Sequence, residues 1–167
     1  MNINYLEARK LFPKIPEEIF TLWLDERIET NGWPIERTFW KGALRSKPIP
    51  YWTELEWRKT SIKIDYSLLT VNSQKIIDGL FAANFEGEMN EYHEIVSELG
   101  SQKRFKKIGE YIKKNGKLPN PLIFIYENGK YEIIDGCHRL TLFLLLKSLN
   151  TFQEAWVGTL PDSDNNE

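Results

Sequence analysis

The fold prediction rests on the stretch Tyr131-Glu-Ile-Ile-Asp-Gly-Cys-His-Arg-Leu-Thr-Leu-Phe-Leu-Leu-Leu146, an apolar strand that breaks at Asp135-Gly136 and continues directly into an apolar helix. Cys137, His138 and Arg139 lie at this junction. The first turn of a helix presents unpaired N–H groups and a partial positive charge, which favour anions. An imidazole and a guanidinium in the same turn add donors suited to phosphate. The junction is therefore predicted to hold an anion, and we expect the phosphates of a nucleotide.

The segments around this junction predict a small β-sheet. Residues 121–126 form a strongly apolar strand, and Asn128-Gly129 is the pair typical of a two-residue hairpin turn, after which residues 131–134 return as a second strand. Residues 60–66 alternate apolar and polar side chains and are predicted to form a half-buried strand, and residues 154–160 a last strand.

Helices are predicted from apolar periodicity and from residues that favour helix ends. Pro16 opens one helix that Asn31-Gly32 ends, and Ser101 is interpreted as the N-cap of another that continues to about Lys114. The other predicted helices span residues 2–12, 74–81 (followed by a mobile acidic loop), 91–99 (ending at Gly100) and 138–149.

These elements predict an α+β chain with a small mixed sheet and packed helices. We expect an aromatic-rich helical extension over residues 1–57, a domain over residues 58–161 and a disordered acidic tail over residues 162–167. The six Trp fall mostly in the first third, where they indicate a core or a surface for a protein partner.

Composition limits the classes of function. The net charge of −2 and the pI of about 5.8 argue against direct DNA binding by this chain alone. The single cysteine excludes an intramolecular disulfide and a multi-cysteine zinc site, and the two histidines leave little material for a metal cluster, so no metal ligands are assigned. No apolar signal core begins the chain and no apolar run reaches membrane-spanning length, so we expect no membrane association and a cytoplasmic protein.

Two stretches carry a resemblance to a known superfamily: Lys117-Leu-Pro-Asn-Pro-Leu-Ile-Phe-Ile and Gly129-Lys-Tyr-Glu-Ile-Ile-Asp-Gly-Cys-His-Arg-Leu. With the order of predicted elements, they make residues 60–160 resemble the ParB/sulfiredoxin-like superfamily. Its members bind nucleotides: sulfiredoxin uses ATP, ParB partition proteins use CTP, and a free-serine kinase phosphorylates an amino acid. The resemblance therefore implies this fold and a nucleotide site.

The motif Gly136-Cys-His-Arg139 matches the corresponding turn of sulfiredoxin. That resemblance implies Cys137 as a reactive thiol and His138 and Arg139 as phosphate ligands. The chain departs from sulfiredoxin at Asp135, where that enzyme has Gly, and it lacks the aromatic pattern that follows the motif. Cys137 can also be read as a small residue that fits a tight turn, or as a thiol whose pKa the helix N-terminus and Arg139 lower.

Other candidate residues have two interpretations each. Asp135 could cap the helix, or it could accept a proton or hold a ribose or a magnesium-bound water. Lys103, Arg104 and Lys107 lie on neighbouring helical turns, either as a solvated face or, as the resemblance implies, as ligands of the phosphates. The predicted catalytic residues are therefore Asp135, Cys137 and His138, and the predicted nucleotide ligands are Gly136, His138, Arg139, Lys103, Arg104 and Lys107.

The predicted function is nucleotide binding, with ATP or another nucleoside triphosphate as the cofactor and phosphoryl transfer or triphosphate hydrolysis as the reaction. Its mechanism would depend on positioning and on charge neutralisation, with magnesium bridging the phosphates through mostly water ligands. Two alternatives are open: a non-catalytic nucleotide-responsive binding module, and a DNA-associated partition or nuclease-type protein of the same superfamily.

Overall fold

The computed structural model describes residues 3–33, 42–86, 98–146 and 152–161. The first half of the chain contains α1 (Ile3–Leu11), α2 (Glu17–Ile19), a π-helical segment (Phe20–Asp25), α3 (Glu26–Asn31), α4 (Ile49–Glu54), β1 (Glu56–Ile62) and a 3-10 turn (Tyr66–Leu68). The second half contains α5 (Val71–Phe81), a π-helical segment (Ala82–Glu86), α6 (Glu98–Asn115), β2 (Leu122–Glu127), β3 (Lys130–Asp135), α7 (Cys137–Leu145) and β4 (Gln153–Thr159).

The four strands form one mixed sheet in the order β1-β4-β2-β3. The β1/β4 and β2/β3 pairs are antiparallel, whereas β2 and β4 run parallel. Asn128 and Gly129 have φ values of 53° and 73°, and positive φ at both positions is what a tight two-residue hairpin turn requires. The hairpin and the α+β class with a mixed sheet are confirmed.

Helices cover both faces of this sheet. On one face, Phe124 and Ile133 share a hydrophobic core with side chains from α5, α6 and α7. On the other face, Ile123, Ile125 and Ile134 are buried with side chains from the helices that precede β1. The central strand β2 is consequently buried on both sides. The helices of the first third of the chain pack against the sheet and cover one of its faces.

Aromatic side chains form much of the core beneath these first helices. Trp23 and Trp52 are fully buried, with ring centroids 4.8 Å apart, and Phe12 and Phe20 are fully buried beside them. The aromatic residues of this segment were predicted to form either a core or a surface for a protein partner, and these four side chains belong to the core.

Several predicted boundaries were wrong. The strand predicted over residues 60–66 is Glu56–Ile62, because its full length pairs with β4, from Glu56 opposite Thr159 to Ile62 opposite Gln153. The helix predicted to begin at an N-cap Ser101 already includes Glu98, so the predicted end at Gly100 is wrong as well. Ser101 is 1% exposed, and its hydroxyl bonds to a neighbouring helix rather than capping its own.

Two further predictions differ from the structure near the ends of helices. Helical structure does not stop at residue 81 but continues as the π-helical segment, where the Asn84 side chain donates to the carbonyl of Leu80. The last helix begins at Cys137, one residue before the prediction, and ends at Leu145. Residues 87–97, which include most of the predicted loop and the helix over 91–99, lie outside the described residues, as do 147–151 and the tail 162–167. Among the described residues, none of the helices has both the length and the apolar character that a bilayer crossing requires.

Candidate functional site

A cavity of about 650 Å³ opens where β3 gives way to α7. This volume is within the range of small-molecule sites in proteins, which is about 300–1,000 Å³. Ile76 and Leu80 of α5 and Ile108 of α6 contribute apolar lining, while residues 134–139 contribute the junction itself. The predicted junction therefore lies in a concave site large enough for a ligand.

Positive charge dominates the lining of this cavity. Its acidic residues are Glu26 and Asp135, and its basic residues, which outnumber them by three, are Arg27, Arg45, Arg104, Lys107 and Arg139. The chain as a whole has a net charge of −2, so this excess is local. A concave surface of one sign concentrates ions of the opposite sign, and the cavity therefore favours an anionic ligand.

Gly136 makes the direct passage from β3 into α7 sterically feasible. Its φ of 94° and ψ of 24° are in the left-handed region. A Cβ at this position would lie 2.7 Å from Cδ2 of Leu122 and 2.8 Å from Nη2 of Arg139. Gly136 occupies the N-cap position without a side-chain cap bond, so the interpretation of Asp135 as the helix cap is wrong.

The Asp135 carboxylate instead lies between two guanidinium groups. Its Oδ2 accepts a hydrogen bond from Nη2 of Arg139 at 3.0 Å, and its Oδ1 is 3.6 Å from Nη1 of Arg27. The Nε of Arg139 is buried without a hydrogen-bond partner among the described residues. Asp135 thus positions two of the cations of the cavity, and both of its oxygens are engaged.

His138 is electrically neutral at physiological pH. Burial, with the positive charges of Arg104 and Arg139, lowers its pKa to about 4, although Asp135 acts in the opposite direction. Its Nε2 lies 2.9 Å from the Ser101 hydroxyl, and its ring packs 5.0 Å from the Phe105 ring centroid. A neutral imidazole has a single N–H, so His138 lines the cavity as a dipole rather than as a cation.

The Cys137 thiol is protonated rather than activated. Burial raises its pKa, and the nearby Arg45, whose Nη2 lies 3.9 Å from Sγ, opposes this effect without overcoming it. The prediction of a lowered pKa is therefore wrong, because desolvation of the thiolate outweighs the attraction of the surrounding cations.

The three basic side chains of α6 that were predicted to bind the nucleotide do not all lie at the cavity. Arg104 and Lys107 of α6 line the cavity, whereas Lys103 does not. All three side chains are exposed. The structure thus brings two of these predicted ligands to the junction residues.

Arg27 and Arg45 were not predicted as site residues. Arg27 lies on the polar side of a helix whose sequence pattern predicts only packing against the core. Arg45 is not part of any recognisable motif. Arg45 reaches the site across 88 positions of sequence, with Nη2 donating to the Ile133 carbonyl at 2.9 Å. Periodicity predicts which face of a helix is polar, but it does not predict what that face meets.

Comparison with known proteins found no matching family model, no matching curated protein and no matching solved structure. The resemblance to the ParB/sulfiredoxin-like superfamily therefore stays a prediction. Within the described parts of the chain, no group of three or more His, Cys, Asp or Glu side chains is arranged to hold a metal ion.

Replacing Gly136 by Ala should destabilise the protein by two separable effects. An L-residue in the left-handed region costs about 1–2 kcal/mol, and the new methyl group would also displace Arg139 or Leu122. Gly129→Ala should show the backbone strain without the crowding, because Gly129 has a φ of 73° and open space around it. Gly42→Ala should show neither effect, because Gly42 has open space and no positive φ. Denaturant unfolding should rank the losses of stability as Gly136, then Gly129, then Gly42. Equal losses at Gly136 and Gly129 would contradict the crowding.

The pKa of His138 predicts an acid-sensitive stability. The unfolded imidazole takes up a proton near pH 6.5, while the folded one resists until about pH 4. The contribution of neutral His138 to the free energy of unfolding is therefore complete above pH 6.5. It is lost as the pH falls toward 4, and the loss is at most about 3 kcal/mol. NMR titration of the imidazole measures the pKa, and denaturant unfolding at several pH values measures the stability. The control His138→Gln has no imidazole at this position, and its stability should depend less steeply on pH. A midpoint near 6.5 in the folded protein would refute the assignment.

Proposed function

We propose that this protein binds a nucleoside triphosphate, with its phosphates held in the cavity at the β3–α7 junction. The observation that carries this proposal is the collection of five cationic side chains against two carboxylates in one cavity of about 650 Å³. Folding brings these charges together from four separate parts of the sequence, at a cost in mutual repulsion that a bound polyanion would offset.

The cavity offers complementary surfaces for the parts of a nucleotide. Arg104 and Lys107 are exposed and have no ion pair among the described residues, so both are available to phosphate oxygens. The first turn of α7 adds backbone N–H groups that no side chain caps. The apolar lining by Ile76, Leu80 and Ile108 provides a surface against which a base could pack.

The reaction we propose is phosphoryl transfer or hydrolysis driven by charge neutralisation. Phosphoryl transfer depends mainly on positioning and on stabilising charge around the phosphates, which cationic side chains can provide. Magnesium bound with the nucleotide would neutralise part of the phosphate charge. Cys137 is a protonated thiol and His138 is neutral, so neither supplies a charged group to the reaction at neutral pH.

A non-catalytic nucleotide-responsive module is the second candidate. It is favoured by the engagement of both Asp135 oxygens with guanidinium groups, which leaves this carboxylate poorly placed to activate an acceptor. The cavity is also lined by residues from the N-terminal helices and from α6 and α7, so a bound ligand would link these layers.

Nucleotide affinity should depend on the two exposed cations of the cavity. In isothermal titration calorimetry with ATP, ADP and CTP, Arg104→Gln/Lys107→Gln should weaken binding at least about tenfold, because each charged hydrogen bond contributes about 1.5–3 kcal/mol. The matched control Lys103→Gln/Lys114→Gln removes two positive charges from the same helix outside the cavity lining and should bind almost normally. Absence of binding heat with every nucleotide, or equal losses in both variants, would refute the proposal.

Measuring nucleotide turnover distinguishes an enzyme from a non-catalytic nucleotide-binding module. Phosphate release from ATP and CTP with magnesium, measured across candidate acceptors, should be abolished or strongly slowed in Arg104→Gln/Lys107→Gln and retained in the control. If charge neutralisation alone drives the reaction, Cys137→Ser should keep its rate, since the buried thiol has a raised pKa and supplies no thiolate. Nucleotide binding without turnover would favour the module, and loss of turnover in Cys137→Ser would indicate thiol chemistry.

A further inference from the structure

The guanidinium of Arg45 is fixed in place by main-chain carbonyls of β3. Its Nε and Nη2 donate to the carbonyl of Ile133 at 3.2 and 2.9 Å, and Nη2 also lies 3.3 Å from the carbonyl oxygen of Ile134. These bonds use one edge of the planar group. Its Nη1 has no hydrogen-bond partner among the described residues, although Arg45 lines the cavity.

The positive charge of Arg45 lacks a counterion within the described part of the chain. The half-buried Arg27 and Arg139 share the carboxylate of Asp135, whereas no carboxylate lies within 4.0 Å of Arg45. Of the three half-buried guanidinium groups that line the cavity, Arg27 and Arg139 therefore lie at the Asp135 carboxylate and Arg45 does not. Partial burial of an uncompensated charge is costly, and an anion in the cavity would relieve that cost.

The position of Arg45 also matches the location of the expected anion. Its Nη2 is 3.9 Å from Sγ of Cys137, the first residue of α7. The guanidinium thus lies beside the uncapped first turn of that helix. A phosphoryl group at this turn could accept hydrogen bonds from helix N–H groups and from the guanidinium together, and guanidinium geometry suits phosphate oxygens.

We propose that Arg45 is a ligand-binding residue whose Nη1 group holds a phosphoryl oxygen of the bound nucleotide beside the first turn of α7. This inference rests on the proposed nucleotide site and extends it to the N-terminal part of the chain. The phosphate site is then completed by a residue that precedes the sheet in sequence, and the ligand class is one with a phosphoryl group that reaches the β3–α7 junction.

The test compares Arg45→Met, Arg45→Lys and Arg58→Met by calorimetry with ATP and with pyrophosphate. Arg45→Met should bind both at least about tenfold more weakly than the wild type, because it loses a charge-assisted contact. Arg45→Lys keeps the charge without the forked geometry and should lose less. Arg58 is exposed on β1 and does not line the cavity, so Arg58→Met makes the same chemical change and should bind normally.

The outcomes distinguish this inference from the function it extends. Wild-type affinity in a folded Arg45→Met protein would overturn the role of Arg45 and leave nucleotide binding intact. Pyrophosphate binding that Arg45→Met weakens, with no binding of any nucleotide, would overturn the proposed nucleotide and retain the phosphoryl contact. Failure of wild type to bind either probe would overturn both.

A measurement on the wild-type protein covers the case in which Arg45 variants do not fold. Phenylglyoxal modifies accessible guanidinium groups, and mass spectrometry of peptides locates the modified arginines. Pyrophosphate should slow the modification of Arg45 severalfold and leave that of Arg58 unchanged. Equal modification of Arg45 with and without saturating pyrophosphate would overturn the inference.

Discussion

Gly136 adopts a φ of 94° with Leu122 and the Arg139 guanidinium against the position that a Cβ would occupy, so β3 ends at Asp135 and α7 begins at Cys137 with no intervening loop. This connection sets Asp135 and Arg139 four residues apart across the junction, where they form an ion pair at 3.0 Å. The same turn fixes the points that Arg27 and Arg45 approach, because Arg27 lies 3.6 Å from Asp135 and Arg45 lies 3.9 Å from Cys137.

Desolvation decides the charge states at this junction. Burial lowers the pKa of His138 to about 4 and raises the pKa of the Cys137 thiol, so both side chains are neutral at physiological pH. The positive charge of the cavity therefore comes from guanidinium and lysine groups rather than from the imidazole.

The burial of both sheet faces explains why the first third of the chain takes part in the site. Ile123 and Ile125 of β2 and Ile134 of β3 point into the core that the N-terminal helices complete. Packing these helices against β3 brings Arg27 to Asp135 and Arg45 to the carbonyls of Ile133 and Ile134. The hydrophobic requirement of the sheet thus places two of the five cations in the cavity.

The local features of this protein followed from its sequence, because they depend on neighbouring residues. The Asn128-Gly129 hairpin, the strand-to-helix junction at Gly136 and the basic face with Arg104 and Lys107 were predicted, since turn chemistry and helical periodicity act over a few positions. The tertiary structure alone decided the bounds of β1, the buried position of Ser101, the neutral states of Cys137 and His138 and the recruitment of Arg27 and Arg45. Those outcomes depend on desolvation and on contacts between residues as many as 108 positions apart, such as Arg27 and Asp135, and a linear pattern does not contain either.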